Sequence, residues 1–535
     1  MIIFLTKLFS AVIPASLLVI SASLFVIPAK AGIHPLHIDS RLRGNDRKRS
    51  GQLSIQVLLY GAITIIALTG FLTWTDSVID TVYRESDRAQ ALAIAEAGIE
   101  YYRWHLAHAP QDFQDGTGQP GPYVHEYTDK SGTVVGTYTL DITPPVQGST
   151  IVTIDSTGTL ASNPDIEKVV RVRMGIPSFA KYAAVLNAAV RFGQGTEVFG
   201  EIHSNGGIRF DGIAHNLVTS AQTDYDDPDH TGQKEFGVHT HVNPPPATGV
   251  TDTARALESP PNDVADRSDV FLVGRQFPVP AVDFAGIASN LSQMKADAQA
   301  GGFYRPTSTT LLGYEIVLKT DDTFDLHLVT ALVAAPSYCS NALSQDGWGT
   351  WSISTKSLLG NYPMPANGLI FIEDNVWVSG QINGARVTIA AARFPDNVAT
   401  RSSITVNADL LYTNYTGNDV VALIAQKNIN IGMVSAATIR IDAALMAQNG
   451  RVGRYYYQGP TTSPNRDRCS PYHARTFVTS YGMLGSNQRY GFAYTDGTGY
   501  VSRSLVYDTN LLYGPPPSFP LTTDAYKIVS WDEVK

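Results

Sequence analysis

An uncharged run rich in Leu, Ile, Val and Ala covers residues 52–74. About 20 apolar residues in a helix span the hydrocarbon core of a bilayer, so this run is long enough for one membrane crossing. The first acidic residue after it is Asp76, and Leu92, Ile99 and Leu106 then recur at seven-residue intervals. Such a stripe is typical of a helix that packs on a folded domain. The pattern predicts one continuous helix over 52–108.

Residues 109–177 show the alternation of apolar and polar residues that is typical of half-buried strands. Segments 136–143, 150–155 and 168–174 follow it, and a proline pair at 144–145 separates the first two. We expect these strands to form a small antiparallel sheet that covers the amphipathic part of the helix. Pro177 breaks the pattern and ends this first domain.

Residues 178–535 consist mainly of short apolar segments separated by Gly and Asn. The triplets Val-Arg-Phe at 190–192 and Ile-Arg-Phe at 208–210 repeat at an offset of 18 residues, and similar segments resume at 369. Repetition of this kind favours a parallel β-solenoid, interrupted at about 222–365 by an insertion that holds one helix and a hairpin. A jelly roll or an irregular sandwich is the alternative. The expected class is α+β, mainly β.

Basic residues and a glycine, Lys48-Arg49-Ser50-Gly51, stand before the apolar run, and Glu96, Ala97 and Gly98 follow about forty residues later. In these features the chain resembles the type IV pilin family, and within it the minor pilins of the PilX type. The resemblance implies that a prepilin peptidase cleaves between Gly51 and Gln52, that the new amino terminus is methylated, and that the helix packs against other pilin subunits.

Two positions depart from the pattern of that family. Gln52 stands where the family usually has Phe, and Gln56 stands where it usually has Glu. The charge pairing that the Glu implies in filament packing therefore does not carry over, which favours a minor subunit over a major one. An ordinary signal anchor remains the alternative, because a single apolar helix carries little information.

Residues 1–51 are interpreted as a leader. A second apolar run at 8–27 followed by Ala-Lys-Ala at 29–31 reads as a secretory signal, whereas Arg47, Lys48 and Arg49 favour a cytoplasmic flank for the next helix. The segment also resembles translated genomic repeat sequence, so we suspect that the true start lies later. A two-helix hairpin is the competing interpretation.

The composition indicates which compartment and which class of partner to expect. The 535 residues carry a net charge of −9, which argues against a phosphate-binding surface and therefore against a nucleic-acid partner. The chain has two cysteines, Cys339 and Cys469. They could form one disulfide in an exported head or remain separate thiols, because the sequence does not show whether their Cα atoms approach each other.

The search for catalytic and ligand-binding motifs finds little. The sequence contains no P-loop, no H-E-x-x-H and no G-x-S-x-G. Asp226, Asp229, His239 and His241 are weak metal candidates, because carboxylates suit Ca²⁺ and a His-x-His pair on a strand suits Zn²⁺. A solvated polar loop is the alternative, since the run lacks the Gly and the distal Glu of a calcium loop. We expect neither a metal nor a cofactor.

These observations favour a pilus-associated minor pilin-like structural or adhesion protein. It would be anchored in the inner membrane by one helix, with a head outside the cytoplasm that meets an unidentified ligand or surface. The alternative is a membrane-anchored β-helix enzyme, a polysaccharide lyase or hydrolase, which needs carboxylates that converge on adjacent rungs. The acids of the repetitive segments do not recur at one rung spacing: Glu373, Asp374, Asp409, Asp419 and Asp442.

Overall fold

The computed structural model describes residues 50–145, 149–230, 232–310, 312–462, 467–521 and 525–534, with the side chains of 50–52 and 285–290 left aside. The chain divides into two compact units, Met1–Val82 and Tyr83–Lys535. The leader expected over 1–51, including Arg47, Lys48 and Arg49, lies almost wholly outside the described residues.

The long N-terminal helix predicted from the apolar run is confirmed. Helix α1 spans Ser50–His108, and its apolar part is long enough to cross a membrane and is not buried inside the protein. In the second unit the same helix buries one face. The buried residues are spaced at three and four positions, as helical periodicity requires: Ala91, Ile94, Ala95, Ile99, Tyr102 and Leu106.

A small antiparallel sheet packs on this buried face. Its chain-order strands are Tyr123–Thr128, Val134–Thr143, Val152–Leu160 and Glu167–Gly175. A fifth strand, Lys527–Glu533, comes from the C-terminal end of the chain and pairs antiparallel with Glu167–Gly175. The sheet is therefore completed by residues far away in sequence.

The rest of the second unit is a large, mostly parallel stack of short strands, which confirms the predicted mainly-β class. The first group of strands comprises Ala184–Leu186, Val190–Phe192, Glu197–Phe199, Ile202–Ser204, Ile208–Phe210, Ile213–Ala214, Val218–Ser220, Asp224–Asp226, Lys234–Phe236, Val238–His239 and Arg275–Gln276. The second group comprises Phe303–Arg305, Tyr314–Leu318, Thr323–Leu332, Ile353–Pro363, Leu369–Ile372, Val376–Ile382, Arg386–Ala391, Ile404–Thr405, Leu410–Tyr412, Val420–Ala425, Ile429–Ile431, Thr438–Ala447, Val452–Arg454, Ala474–Ser486 and Gly499–Tyr507.

The order of the rungs in the stack differs from their order in the chain. One column of parallel register partners runs Phe303, Ile370, Ile389, Leu423, Leu445, Leu484, Ala184, Ile202, Val218 and Arg275. The late rungs therefore stack on the first rung of the early group. Between the two groups the chain must return from one end of the stack to the other, and helix α3, Phe284–Gly301, lies in that connection.

Helix α3 explains why several strands are apolar on both faces. Phe284, Leu291, Met294 and Ala298 of the helix share a core cluster with outward-facing residues of the stack, among them Phe371. All residues of Leu369–Ile372 and Val420–Ala425 are buried. Strands covered on both faces read as continuous apolar runs, as in other parallel sheets. The short helix α2, Asp252–Leu257, and two 3₁₀ turns, Phe179–Lys181 and Thr509–Leu512, complete the described elements.

Cys339 and Cys469 are joined in a disulfide, with their Cα atoms 4.7 Å apart. The bond lies in a small separate core that includes Met433, Tyr455 and Tyr457. Beside it the buried guanidinium of Arg454 donates to the backbone carbonyls of residues 432, 433 and 472. The disulfide therefore joins the chain around Cys339 to the chain around Cys469. Arg454 joins its own strand to the carbonyl groups around residues 432 and 472.

Prediction: replacing Gly158 by Ala destabilises the packing of the small antiparallel sheet on α1. A Cβ at this position would lie 2.1 Å from the carbonyl oxygen of Ala91 and 2.5 Å from the amide nitrogen of Ala95. Both contacts are backbone atoms of α1 and cannot rotate away. We expect the free energy of unfolding to fall by about 1–3 kcal/mol, measured by urea denaturation. Thr157→Val, on the opposite face of the strand, should change it by less than about 0.5 kcal/mol.

Candidate functional site

The first candidate surface is the exposed apolar side of α1 in the first unit. Its large apolar side chains are between 42% and 73% exposed: Leu53, Ile55, Val57, Leu58, Leu59, Tyr60, Ile63, Ile65, Ile66, Leu68, Phe71, Leu72, Trp74, Val78, Ile79 and Val82. A contiguous apolar surface of this extent is typical of one that meets lipid or another protein. Gly51 and Gln52 lie in the first turn of α1. Cleavage between them remains a prediction from the sequence.

The structure gives a packing reason for one residue of the pilin-like signature. Gly98 is buried, and a Cβ there would lie 2.4 Å from Ser156 Oγ and 2.8 Å from Tyr138 Cδ2. Glu96 is exposed and Ala97 is half-buried. Gly98 therefore allows the helix to approach the sheet closely, whereas Glu96 faces solvent.

The second candidate is a buried cluster of charged and imidazole side chains on the stack. Arg191, Arg209 and His239 are register partners on three successive parallel strands. Their neighbours Val190, Ile208 and Val238 belong to the main core. Because side chains alternate along a strand, the two arginines and the histidine project from the outer face.

Three potential ligand atoms converge in this cluster. The Nε2 atoms of His239 and His241 are 3.2 Å apart, and Asp227 Oδ2 lies 3.7 Å from His239 Nε2. Asp227 is 2% exposed and both histidines are completely buried. Among the described residues, Asp227 Oδ2 and the Nδ1 atoms of the two histidines have no hydrogen-bond partner. The arrangement can bind a cation.

Arginine side chains surround the cluster and pair with its acids. Arg209 Nε donates to Asp211 Oδ2 at 2.8 Å, and its Nη1 lies 3.6 Å from Asp227 Oδ2. Arg489 donates twice to Asp229. The positive charge of Arg209 is thus directed mainly at Asp211, which is completely buried at its side chain.

The environment keeps His241 neutral and Asp227 ionised. Burial, with Arg209, His239 and His230 nearby, lowers the pKa of His241 to about 2. Burial alone would raise the pKa of the Asp227 carboxyl, but His239, the Asp229 amide and Arg209 bring it below its ordinary value. A neutral imidazole and a carboxylate are the forms in which these groups bind metal ions.

Two further groups lie on the more open side of the cluster. The rings of His230 and His241 are 5.0 Å apart, and His230 Nε2 lies 3.8 Å from Asp252 Oδ1. The side chains of His230 and Asp252 are 29% and 76% exposed. His241 therefore stands between a buried ligand group and one that solvent can reach.

The structure brings together only part of the set singled out from the sequence. His239 and His241 meet, but Asp226 is exposed and Asp229 pairs with Arg489, so Asp227 is the carboxylate that joins the histidines. Sequence reasoning noted the acidic run 224–230 but did not single out Asp227 within it, and it missed Arg209 and Asp211. The repeated triplets held a usable signal, because His239 occupies in Val-His-Thr the middle position that arginine holds in Val-Arg-Phe and Ile-Arg-Phe.

The carboxylates that could serve a polysaccharide-cleaving site are mostly engaged within the fold. Asp374 pairs with Arg393, and Asp419 accepts from the amides of Gly384, Thr413 and Asn414. Glu373 binds Lys295 and Tyr304, and Asp442 binds Arg440 and Tyr415. These interactions orient the acids toward neighbouring strands and loops.

Comparison with known proteins gives little further information about the role of this chain. No family model matches the chain, and no curated protein matches it. Among solved structures, the competence-associated pilin ComZ from Thermus thermophilus aligns with 84% of this chain and 97% of its own, at 13% identity and a TM-score of 0.30. So low a score does not indicate a shared fold, and the role of the chain has to be inferred from its own residues.

Prediction: Arg209→Met destabilises the stack far more than Arg191→Met. Both arginines approach Asp211, but the Arg209 side chain is 3% exposed and that of Arg191 is 28% exposed. Loss of Arg209 leaves a buried carboxylate without its closest cation, at a cost of about 3–5 kcal/mol. Loss of Arg191 should cost less than about 1 kcal/mol. Equal losses in urea unfolding would contradict the assignment of Arg209 as the principal partner.

Proposed function

We propose that the chain is a minor pilin-like subunit of the PilX type with a structural or adhesive role at a type IV pilus. The observation that carries the proposal is the division of α1, which exposes apolar side chains over its first part and packs on a small antiparallel sheet over its last part. A helix that serves both a bilayer and a folded head is what such a subunit requires.

The partners follow from the same division. The exposed apolar surface of residues 53–82 would meet lipid before assembly and other pilin subunits after it. Prepilin peptidase would act at Gly51, with Arg47, Lys48 and Arg49 as the cytoplasmic flank. Gln56 lacks the acid that the family uses in filament packing, which supports a minor position in the filament. The head would then face outside the cytoplasm and bind an unidentified surface or ligand.

The role proposed for the head is binding and not catalysis. The hydrogen-bonded state of Asp374, Asp419 and Asp442 supports it, because a general acid and base must reach substrate protons. A polysaccharide-cleaving enzyme remains the competing proposal, and turnover of a polysaccharide by the purified chain would favour it.

Prediction: prepilin peptidase converts the chain to a mature form that begins at Gln52. The full chain is co-expressed with a matching peptidase, and the amino terminus is read by mass spectrometry. We expect a methylated Gln52 terminus, and no conversion of Gly51→Arg because the bulky side chain blocks the cleavage position.

The control for that assay is Gly61→Ala. Apart from the neighbouring residues and the backbone of the helix itself, no heavy atom lies within 4 Å of a Cβ at this position, so the variant should be processed normally. A terminus after Ala31, or equal processing of Gly51→Arg, would contradict the pilin-like assignment.

Prediction: in denaturant, neither cysteine of the chain from native membranes reacts with iodoacetamide until a reductant is added. Disulfides persist in oxidising compartments and are rare in the cytosol, so the Cys339–Cys469 bond is expected only if the head is exported. The measurement is peptide mass spectrometry with and without reduction. A chain expressed without residues 1–74, and so retained in the cytoplasm, is the control and should react before reduction.

A further inference from the structure

The segment 224–241 folds over the outer face of the first solenoid rungs. The strands Asp224–Asp226 and Lys234–Phe236 pair antiparallel, and Val238–His239 then joins the parallel ladder beside Ile208–Phe210. Asp227 stands near the start of the segment, and His239 and His241 stand at its end. A cation bound to all three would fasten this segment at both ends.

The donor set selects one class of ion. Two imidazole nitrogens and one carboxylate oxygen suit zinc and neighbouring first-row divalent transition metals. Calcium and magnesium prefer oxygen ligands throughout. Both cysteines are in the disulfide, so thiolate does not compete for the ion.

The distance between the two imidazole nitrogens fits a tetrahedral ion. Zinc–nitrogen bonds of about 2.0–2.1 Å place two ligand atoms of a tetrahedron about 3.3 Å apart. The two Nε2 atoms are 3.2 Å apart, and Asp227 Oδ2 lies 3.7 Å from one of them. All three donor atoms lie within 4.8 Å of one another.

Separate anchors hold two of the ligands in place. The backbone N–H of His241 donates to Asp211 Oδ1 at 3.0 Å, and Asp227 Oδ1 accepts from the Asp229 amide at 3.0 Å. The second oxygen of Asp227 is therefore directed into the cluster, where Arg209 Nη1 at 3.6 Å and His239 Nε2 at 3.7 Å approach it without forming a hydrogen bond. Burying a carboxylate oxygen without a hydrogen-bond donor is unfavourable, and a bound metal would satisfy it.

We propose that Asp227, His239 and His241 bind one zinc-type divalent transition-metal ion that fastens segment 224–241 to the solenoid. His230, or a water on the side of Asp252, supplies the fourth ligand, because this is the side open to solvent. The site is structural, and it does not depend on whether the chain enters a pilus.

The test measures zinc binding by the full-length, untagged chain in detergent, with its disulfide intact and its metals removed by a chelator. Wild type should bind one Zn²⁺ per chain in competition with a chromophoric chelator. Co²⁺ in its place should give the intense visible absorption of a tetrahedral site. The variants are Asp227→Asn and His239→Gln, each close to its parent in volume.

We expect each variant to bind zinc at least about 10-fold to 100-fold more weakly, since even the loss of a supporting residue has that effect on metal sites. His215→Gln is the matched control, because His215 lies on the same stack but pairs with Glu197. It should bind zinc as wild type does. Zinc should also raise the thermal midpoint of wild type but not of Asp227→Asn.

Two outcomes would overturn the proposal. One is wild type that binds no stoichiometric zinc while its disulfide is intact. The other is unchanged zinc affinity in both Asp227→Asn and His239→Gln. If a variant fails to fold, the Co²⁺ spectrum of wild type decides, because an octahedral spectrum or none contradicts a buried tetrahedral site. Failure of this proposal would leave the processing of Gly51 unaffected, and the reverse also holds.

Discussion

The large parallel stack depends on the pairing of two strands that lie about 300 residues apart in the chain. Leu484 in the strand Ala474–Ser486 is the register partner of Ala184 in Ala184–Leu186, and this seam joins the late rungs to the early ones. The strand Gly499–Tyr507 also pairs with Glu197–Phe199 at this seam, and without the two pairings each group would end in an open edge whose backbone N–H and C=O groups lack partners. The seam turns two incomplete stacks into one continuous ladder with a shared core.

A second long-range pairing completes the small sheet that packs on α1. Because Lys527–Glu533 pairs with Glu167–Gly175, the end of the chain returns to the sheet where the head begins. The sheet then presents Gly158 and Tyr138 to the helix, whose backbone approaches closely enough that only glycine fits at residue 158. The buried part of the helix is held by this contact, and the apolar side chains of its first part are exposed.

The buried histidine cluster results from the same repetitive register. A parallel ladder places equivalent positions of successive rungs side by side, so Arg191, Arg209 and His239 form a row on one face. The row would repel itself if all its members were cationic. Asp211, Asp227 and Asp229 offset that charge. The neutral imidazole of His241 lies beside the ionised carboxylate of Asp227.

The long apolar helix and the mainly-β class follow from local sequence, because bilayer thickness, helical periodicity and strand alternation act over a few residues to a few tens of residues. The order of the rungs, the partner of Cys339, the place of the last strand and the choice of Asp227 over Asp226 and Asp229 emerge only in the folded chain. These features depend on pairings between residues that are far apart in the chain. Asp226 and Asp227 are chemically alike, and they differ only because alternation along the segment turns one outward and the other into the cluster.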